Sequence, residues 1–221
     1  MASSTRIIYP AGEREKSVML VNTNSYPVIV QSWVDDGIGN PDTAKAPFIV
    51  IPPVFRLVPQ GIQGIRLLFN QTTIPQDRES VFWLNLYEVP PTNGAVPDVQ
   101  RVTLAMNTQM KIFYRPQTLT ISLEEALPKL VFRLRHDKER WWIECENPTP
   151  LHVSLTSITV QDGAVGRSVE QQMDMMVGPF SKKNYAIIGT LGSEGKHQIR
   201  FHYLDDAGEQ HLKDAILQEA G

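Results

Sequence analysis

The sequence predicts an all-β protein built from two β-sandwich domains. Runs of alternating apolar and polar residues recur along the chain, and clusters of Gly, Pro, Asn and Asp separate them. This pattern is typical of short strands joined by turns. Helical periodicity is almost absent before the C-terminal segment. The length of 221 residues fits two domains of about 100 residues each. Together these observations predict tandem sandwiches.

The first domain is predicted to extend over residues 1–116. Turn signals at Asn22-Thr23-Asn24, Asp36-Gly37 and Gln60-Gly61 separate several of its strands, and Arg115-Pro116-Gln117 ends it. The alternation predicts strands at these positions: Thr5–Tyr9, Lys16–Asn22, Val28–Val34, Phe48–Ile51, Phe55–Leu57, Gln63–Phe69, Val81–Tyr87 and Arg101–Tyr114. Their short lengths and close spacing are those of a sandwich.

The second domain is predicted over residues 117–221, as a smaller sandwich. Asn147-Pro148-Thr149-Pro150 and the segment Gly163–Gly166 interrupt its strand pattern. The alternation predicts strands at these positions: Leu130–Leu134, Arg140–Glu144, Val153–Val160, Asn184–Ile188 and His197–Leu204.

Two short segments of the second domain have helical patterns. Leu123–Leu127 follows Ser122, a residue type that favours the N-cap position, and this predicts one helical turn. Leu212–Leu217 has the i, i+4, i+5 apolar spacing of a short amphipathic helix. We expect a helix there, ahead of two alternatives: a frayed tail and the end of a last strand.

The composition limits the function classes open to the chain. The net charge of −3 offers no polybasic surface, which predicts no binding to nucleic acid or to an anionic membrane. No apolar run approaches the roughly 20 residues that span a bilayer, so we expect no membrane insertion. The N-terminus lacks the basic and apolar layout of a secretory signal, so Met1–Ser4 is expected to open a mature secreted domain or to be a cytosolic start.

Cys145 is the single cysteine, so it cannot form an internal disulfide. It ends the strand-like run Trp141-Trp142-Ile143-Glu144-Cys145, and a thiol in such a run is more often a small buried apolar group than a reactive one. Cysteine usage therefore leaves the cellular compartment open.

Catalytic and metal-binding patterns are absent from the sequence. The histidines form no HExxH pair, and no Cys/His set has the spacing of structural zinc. No G-x-S-x-G, P-loop or G-x-G-x-x-G motif is present. The adjacent carboxylates Asp35-Asp36, Glu124-Glu125 and Asp205-Asp206 lie in turn-like contexts, where we expect water to surround them. The sequence predicts a protein that is not an enzyme, with no catalytic residue, metal or cofactor.

The last strand of the first domain carries an apolar row with two interpretations. Successive side chains of an extended chain point to opposite faces. One face would hold Val102, Leu104, Met106 and Met110, and the other would hold Arg101, Thr103, Asn107, Gln109 and Lys111. The apolar row either packs on the core of its own domain or is available to a partner. Alternation alone favours the core.

Three segments of the chain resemble a known family. In Ile74–Pro91 a charged turn leads into an alternating strand that a proline pair ends. With Met110–Pro116 and Thr5–Tyr9, this segment resembles the signature segments of the periplasmic pilus (fimbrial) chaperones of the chaperone-usher pathway. The resemblance implies two immunoglobulin-like domains at an angle, with a cleft between them. It also implies a periplasmic chaperone that binds, folds and caps pilus subunits and delivers them to an outer-membrane usher.

The resemblance assigns a site for the subunit. In the family, an arginine of the first strand and a lysine of the last strand of the first domain hold the subunit's C-terminal carboxylate; the matching residues here are Arg6 and Lys111. Charge-assisted hydrogen bonds from two cations suit that role. The apolar row would enter the groove of an incomplete subunit as its missing strand, with Val102, Leu104 and Met106 as the groove-filling residues.

The remaining family positions concern the domains themselves. Glu79 and Arg115 match, and Asp206 completes an expected interdomain charge cluster, with Asp205 as the alternative third member. The short loop at 91–99 resembles the short-loop chaperones. Self-association of the free protein would protect an exposed apolar strand. The alternative class is an immunoglobulin-like adhesion or cell-surface recognition module, whose loops would bind.

Overall fold

The computed structural model describes residues 4–43, 45–70, 72–91, 104–137, 140–162, 165–191 and 198–219. Within these ranges the regular secondary structure is almost wholly strand, with one short helix, and the predicted all-β class is confirmed. The chain divides into two compact units. The first comprises Met1–Pro75 and Ser80–Gln117, and the second comprises Gln76–Glu79 and Thr118–Gly221. The sequence prediction had not placed Gln76–Glu79 with the second domain.

Within its described residues the first unit contains two sheets. Its strands are β1 (Arg6–Pro10), β2 (Glu15–Val21), β3 (Val28–Asp35), β4 (Phe48–Ile51), β5 (Val54–Leu57), β6 (Ile62–Phe69), β7 (Ser80–Val89) and β8 (Met106–Arg115), with a 3-10 turn at Pro41–Thr43. One sheet has the order β1-β8-β7-β3-β5, and the other has the order β2-β6-β4.

The core of the first unit is a cluster of side chains contributed by both sheets. Tyr9 and Ile112 reach it from the five-stranded sheet, and Ile65 and Leu67 reach it from the three-stranded sheet; all four are fully buried. The Tyr9 ring meets Phe48 edge to face, with ring centroids 5.1 Å apart. Because side chains alternate along a strand, this burial also fixes which residues point away from the core.

The second unit contains eight strands within its described residues. They are β9 (Val131–His136), β10 (Trp141–Asn147), β11 (Val153–Asp162), β12 (Val165–Ser168), β13 (Met176–Val177), β14 (Ser181–Ala186), β15 (Gln198–Leu204) and β16 (Gln210–Glu219). The strand order is β12-β11-β15-β16-β9-β10-β14, and β13 pairs with β11. Its core includes Phe132, Ile143 and Phe201 together with Cys145, which is fully buried as expected.

The predicted helical turn of the second unit is confirmed. Helix α1 spans Leu123–Ala126 and a 3-10 turn, Leu127–Lys129, continues it. The Ser122 hydroxyl accepts a hydrogen bond from the backbone N–H of Glu125, whose carboxylate accepts one from the N–H of Ser122. This capping box satisfies two N–H groups that the helix start would otherwise leave unpaired. No helix in the described part of the chain is long and apolar enough to cross a membrane.

The predicted helix at Leu212–Leu217 is wrong, because this segment lies in strand β16. β16 pairs antiparallel with β15 along Gln210–Ile216, and Leu217–Glu219 then pairs parallel with β9. The apolar residues that gave the helical spacing do not share an environment, since Leu212 and Ile216 are exposed and Leu217 is buried. Backbone pairing with two neighbouring strands overrides the local pattern.

Candidate functional site

Strand β8 is paired differently along its two halves. On one side, β7 pairs with it over its whole described length, from Met106 opposite Glu88 to Tyr114 opposite Ser80. On the other side, β1 pairs in parallel with Lys111–Arg115 alone. Among the described residues, Met106–Met110 therefore has no partner strand on the β1 side. Unpaired backbone N–H and C=O groups of this kind are a template for a further strand.

The apolar row of β8 changes environment at the same place. Leu104 is 79% exposed and Met106 is 55% exposed, whereas Met110 is 1% exposed and packs in the core. The two interpretations of the row therefore apply to different stretches of it: the later part packs on its own domain, and the earlier part is exposed. Val102 lies outside the described residues.

Arg6 and Lys111, the two predicted cations, lie where the unpaired side of β8 ends and its pairing with β1 begins. Arg6 and Lys111 are opposite each other in the parallel β1–β8 ladder, so the structure brings the pair together as first residues of that pairing. Both point away from the core cluster, which takes Ile7 and Ile112 instead. Arg6 is only 9% exposed, and its guanidinium carbon lies 5.6 Å from the centroid of the Phe113 ring. Such packing limits the freedom of the guanidinium.

The geometry defines what an added strand would meet. A strand lying on the free side of Met106–Met110 would run into the start of β1, because β1 occupies the same edge of β8 from Lys111 onward. If the added strand ran parallel to β8, its C-terminal end would arrive beside Arg6 and Lys111. Two cations at that point suit a terminal carboxylate.

The three residues predicted to form an interdomain charge cluster lie in separate elements. Glu79 is 2% exposed, belongs to the second unit and accepts hydrogen bonds there from the backbone N–H (2.9 Å) and from Nδ1 (3.0 Å) of His152. Arg115 ends β8, and Asp206 is exposed in the turn between β15 and β16. The interdomain cluster stays a prediction. Sequence reasoning missed His152, since nothing local links it to a residue 73 positions away.

One expectation about adjacent carboxylates is wrong. Asp35 was expected to be solvated in a turn, but it is fully buried at the end of β3. Its carboxylate accepts four hydrogen bonds, one of them from Nδ2 of the fully buried Asn85. A buried carboxylate is tolerated when donors surround it. The alternation of β3 places Asp35 on the outward face with Ile29 and Gln31, so its burial had no local sequence signal.

One group in the described residues has the composition of a metal site. The ligand atoms of Asp205, Glu209 and His211 lie within 4.8 Å of one another in the β15–β16 turn. Asp205 is already engaged there, since it accepts hydrogen bonds from the Glu209 N–H at 2.8 Å and from His211 Nε2 at 2.7 Å. Burial opposes ionisation of Asp205, but these hydrogen bonds outweigh burial and lower its pKa. The group is accounted for by the structure of the turn.

Tandem β-sandwiches and an open strand edge beside two cations define a class of protein that binds extended protein segments. The model of the PapD N-terminal domain, described as a pili and flagellar-assembly chaperone, matches residues 1–120. The model of the C-terminal domain of the pili assembly chaperone PapD matches residues 125–215. The chain belongs to the PapD family of pili assembly chaperones, which confirms the predicted resemblance.

Similarity to individual members extends along nearly the whole chain. The chain is 35% identical over 213 residues to the chaperone protein FimB/FhaD of Bordetella pertussis, covering 93% of this chain and 83% of that one. The crystal structure of the YadV chaperone aligns with a TM-score of 0.83 at 32% identity over 98% of each chain. A chain of the Salmonella enterica complex of SafA pilin with the SafB chaperone aligns with a TM-score of 0.80 at 27% identity, over 98% of this chain and 95% of that one.

Proposed function

We propose that this protein binds incomplete pilus subunits and supplies them with the strand they lack. The single observation that carries the proposal is the half-paired strand β8, whose Met106–Met110 stretch has a free side among the described residues. Backbone hydrogen bonds to that side would give affinity, and alternating side chains would give register. Family membership supports the proposal, as does the likeness to a chain from a complex of a chaperone with a pilin.

The exposed part of the apolar row would fill the subunit's groove. Leu104 and Met106 are large, apolar and more than half exposed, so burying them in a partner removes apolar surface from water. Val102 belongs to the same set by alternation and is proposed as its next member along the chain. On the subunit, the complementary surface would be an apolar groove left by its missing strand.

Arg6 and Lys111 would anchor the end of the bound strand. A subunit strand parallel to β8 would end at these two residues, where its terminal carboxylate would accept charge-assisted hydrogen bonds. Because the anchor lies at one fixed point of the ladder, it would also set the register of Leu104 and Met106 against the groove.

The wider role follows from the same binding step. The protein would act in the periplasm, without an enzymatic step, cofactor or metal. It would hold a subunit until an outer-membrane usher exchanges the donated strand for that of the next subunit. When free, it would cover its exposed row by self-association, since an open apolar edge invites pairing. Glu79, Arg115 and Asp206 would orient the two domains for subunit binding.

Co-expression with candidate pilus subunits tests the proposal. We expect the wild-type protein to co-purify with the subunit in a one-to-one complex. Arg6→Ala and Lys111→Ala should lose most of the subunit, because each removes one of the two carboxylate donors. Arg66→Ala and Lys16→Ala are matched controls, since both cations lie in strands of the first unit and pair with exposed glutamates. If Arg6→Ala and Lys111→Ala are folded and retain as much subunit as the two control variants, the proposed carboxylate-binding role of Arg6 and Lys111 is wrong.

A further inference from the structure

Asp35 and Asn85 are fully buried polar residues of the first unit, yet neither belongs to its apolar core. Asp35 ends β3, and Asn85 lies in the middle of β7. Both project from the face of the five-stranded sheet that points away from the core, since Val34 and Leu84 beside them point into it. Burying polar groups is costly unless their hydrogen bonds are satisfied, so their partners indicate why they are there.

The carboxylate of Asp35 organises the end of β3. It accepts hydrogen bonds from the backbone N–H groups of Gly37 at 2.8 Å and Gly39 at 2.9 Å, and from Nε1 of Trp33 at 3.1 Å. The fourth donor is Nδ2 of Asn85, at 2.9 Å. Because a carboxylate only accepts hydrogen bonds, the Asn85 amide has to turn its nitrogen toward Asp35 and its oxygen away.

That orientation decides what Asn85 offers to β8. Its Oδ1 accepts hydrogen bonds from Nε2 of Gln109 at 2.8 Å and from Nδ2 of Asn107 at 3.2 Å. Both donors lie in the Met106–Met110 stretch, where the described residues provide no partner strand on the β1 side. A chain of polar contacts therefore runs from the loop after β3, through Asn85, to the outward side chains of the open half of β8.

We propose that Asp35 and Asn85 are positioning residues for strand donation by β8, an inference that rests on the proposed function. Leu104 and Met106 can enter a groove only if β8 keeps the same face toward the partner beyond the point where its pairing with β1 ends. A strand that rotates or slips by one residue would point its apolar side chains in the opposite direction. Among the described residues, the backbone ladder restrains this stretch of β8 from the β7 side alone. The Asp35–Asn85 pair adds a second restraint, because Asn85 accepts hydrogen bonds from Asn107 and Gln109, two alternate side chains of the same stretch.

Asn85→Asp tests the proposal, with Asn147→Asp as its matched control. In Asn85→Asp a carboxylate oxygen replaces the nitrogen that faces Asp35, so two like charges meet. Their repulsion displaces the side chain that accepts hydrogen bonds from Asn107 and Gln109. Asn147 is also 0% exposed but lies in the second unit, where its Nδ2 donates to the Leu151 and Gly178 carbonyl oxygens. Gln109→Leu is a second variant, which removes one of the two donors that β8 offers to Asn85 and leaves the Asp35–Asn85 hydrogen bond in place.

Two readouts separate positioning from general stability. Amide hydrogen exchange of Met106–Met110 is followed by NMR in the free protein, and binding is measured with the subunit that co-purifies with wild type. We expect Asn85→Asp and Gln109→Leu to speed exchange in this stretch and to weaken binding. Asn85→Asp should weaken binding about tenfold or more, the factor for disrupting the hydrogen bonds of a buried polar group. Gln109→Leu should weaken it less, because the Gln109 side chain is exposed and Asn107 still donates to Asn85. Asn147→Asp should lower the melting temperature while leaving exchange in this stretch and subunit binding at their wild-type values.

The outcomes distinguish this inference from the proposed function. If wild type binds the subunit and both β8-directed variants bind equally well, the positioning role is overturned. Exchange in Met106–Met110 that stays at the wild-type rate in both variants also overturns it, with or without a subunit. If wild type binds no subunit at all, the proposed function fails, whereas the exchange rates still decide whether Asp35 and Asn85 hold β8.

Discussion

At the scale of single residues, burial decides the chemistry of Cys145. The thiol is fully enclosed in the core of the second unit. Loss of solvation raises the pKa of Cys145 to about 12, and the charge of the neighbouring Glu146 acts in the same direction. The reactive form of a cysteine is the thiolate, which this environment suppresses. Cys145 therefore acts as a small apolar residue of the core.

We predict that Cys145 does not react with a thiol reagent in the native protein. At about pH 8, where an exposed cysteine is partly ionised, labelling should be negligible over hours and should become complete once denaturant unfolds the second unit. Mass spectrometry after timed exposure measures this. Rapid labelling of the folded protein, at a rate independent of denaturant, would contradict the burial of the thiol.

At the scale of elements, β8 is one strand with two environments. Met110 and Met106 share a face, but Met110 is packed in the core and Met106 is exposed. Core packing of Met110 stabilises the fold. Met106 contributes little to stability and is available for a partner. A strand whose apolar row continues beyond its own core is what donation to another protein requires.

Met110→Ala and Met106→Ala should therefore affect different properties of the protein, stability for the first and subunit binding for the second. Met110→Ala is expected to lower the free energy of unfolding by about 2–5 kcal/mol, because it leaves a cavity in the core. Met106→Ala is expected to change it by less than about 0.5 kcal/mol while weakening subunit binding. Urea titration and subunit co-purification measure the two effects. Equal loss of stability in both variants would show that Met106 is not the exposed member of the row.

The same strand shows what the sequence could and could not reveal. Alternation predicted the two faces of β8 and the resemblance assigned Arg6 and Lys111, but where the row leaves the core depends on where β1 begins to pair. Local spacing predicted a helix at Leu212–Leu217, where β15 and β9 impose a strand. The Asp35–Asn85 pair joins residues 50 positions apart, and such contacts leave no local signal.

At the scale of the whole molecule, one short segment departs from the division of the chain into sequential domains. Gln76–Glu79 belongs to the second unit although β6 before it and β7 after it belong to the first. Glu79 holds it there, since its carboxylate accepts hydrogen bonds from His152 and its N–H donates to the Pro150 carbonyl oxygen at 2.9 Å. Arg78 adds a cation–π contact, 5.1 Å from the Phe180 ring centroid.

We predict that Glu79→Ala destabilises the second unit selectively, by about 1–3 kcal/mol, because two buried donors on His152 lose this acceptor. NMR signals of Ile143 and Ile65, which lie in the two separate cores, report the unfolding of each unit during a urea titration. Glu170→Ala is the control, since it removes an exposed ion pair with Arg140 and should leave both midpoints nearly unchanged. A shift confined to the Ile65 signals would contradict the assignment of this segment.

The most direct measurement of strand donation is amide hydrogen exchange of Leu104–Met110 in the free protein and in its complex with a pilus subunit. Pairing of the subunit with the free side of β8 predicts that amides in this stretch exchange much more slowly in the complex, because new backbone hydrogen bonds protect them. A stable one-to-one complex in which Leu104–Met110 exchanges as fast as in the free protein would contradict it, and would place the subunit on another surface.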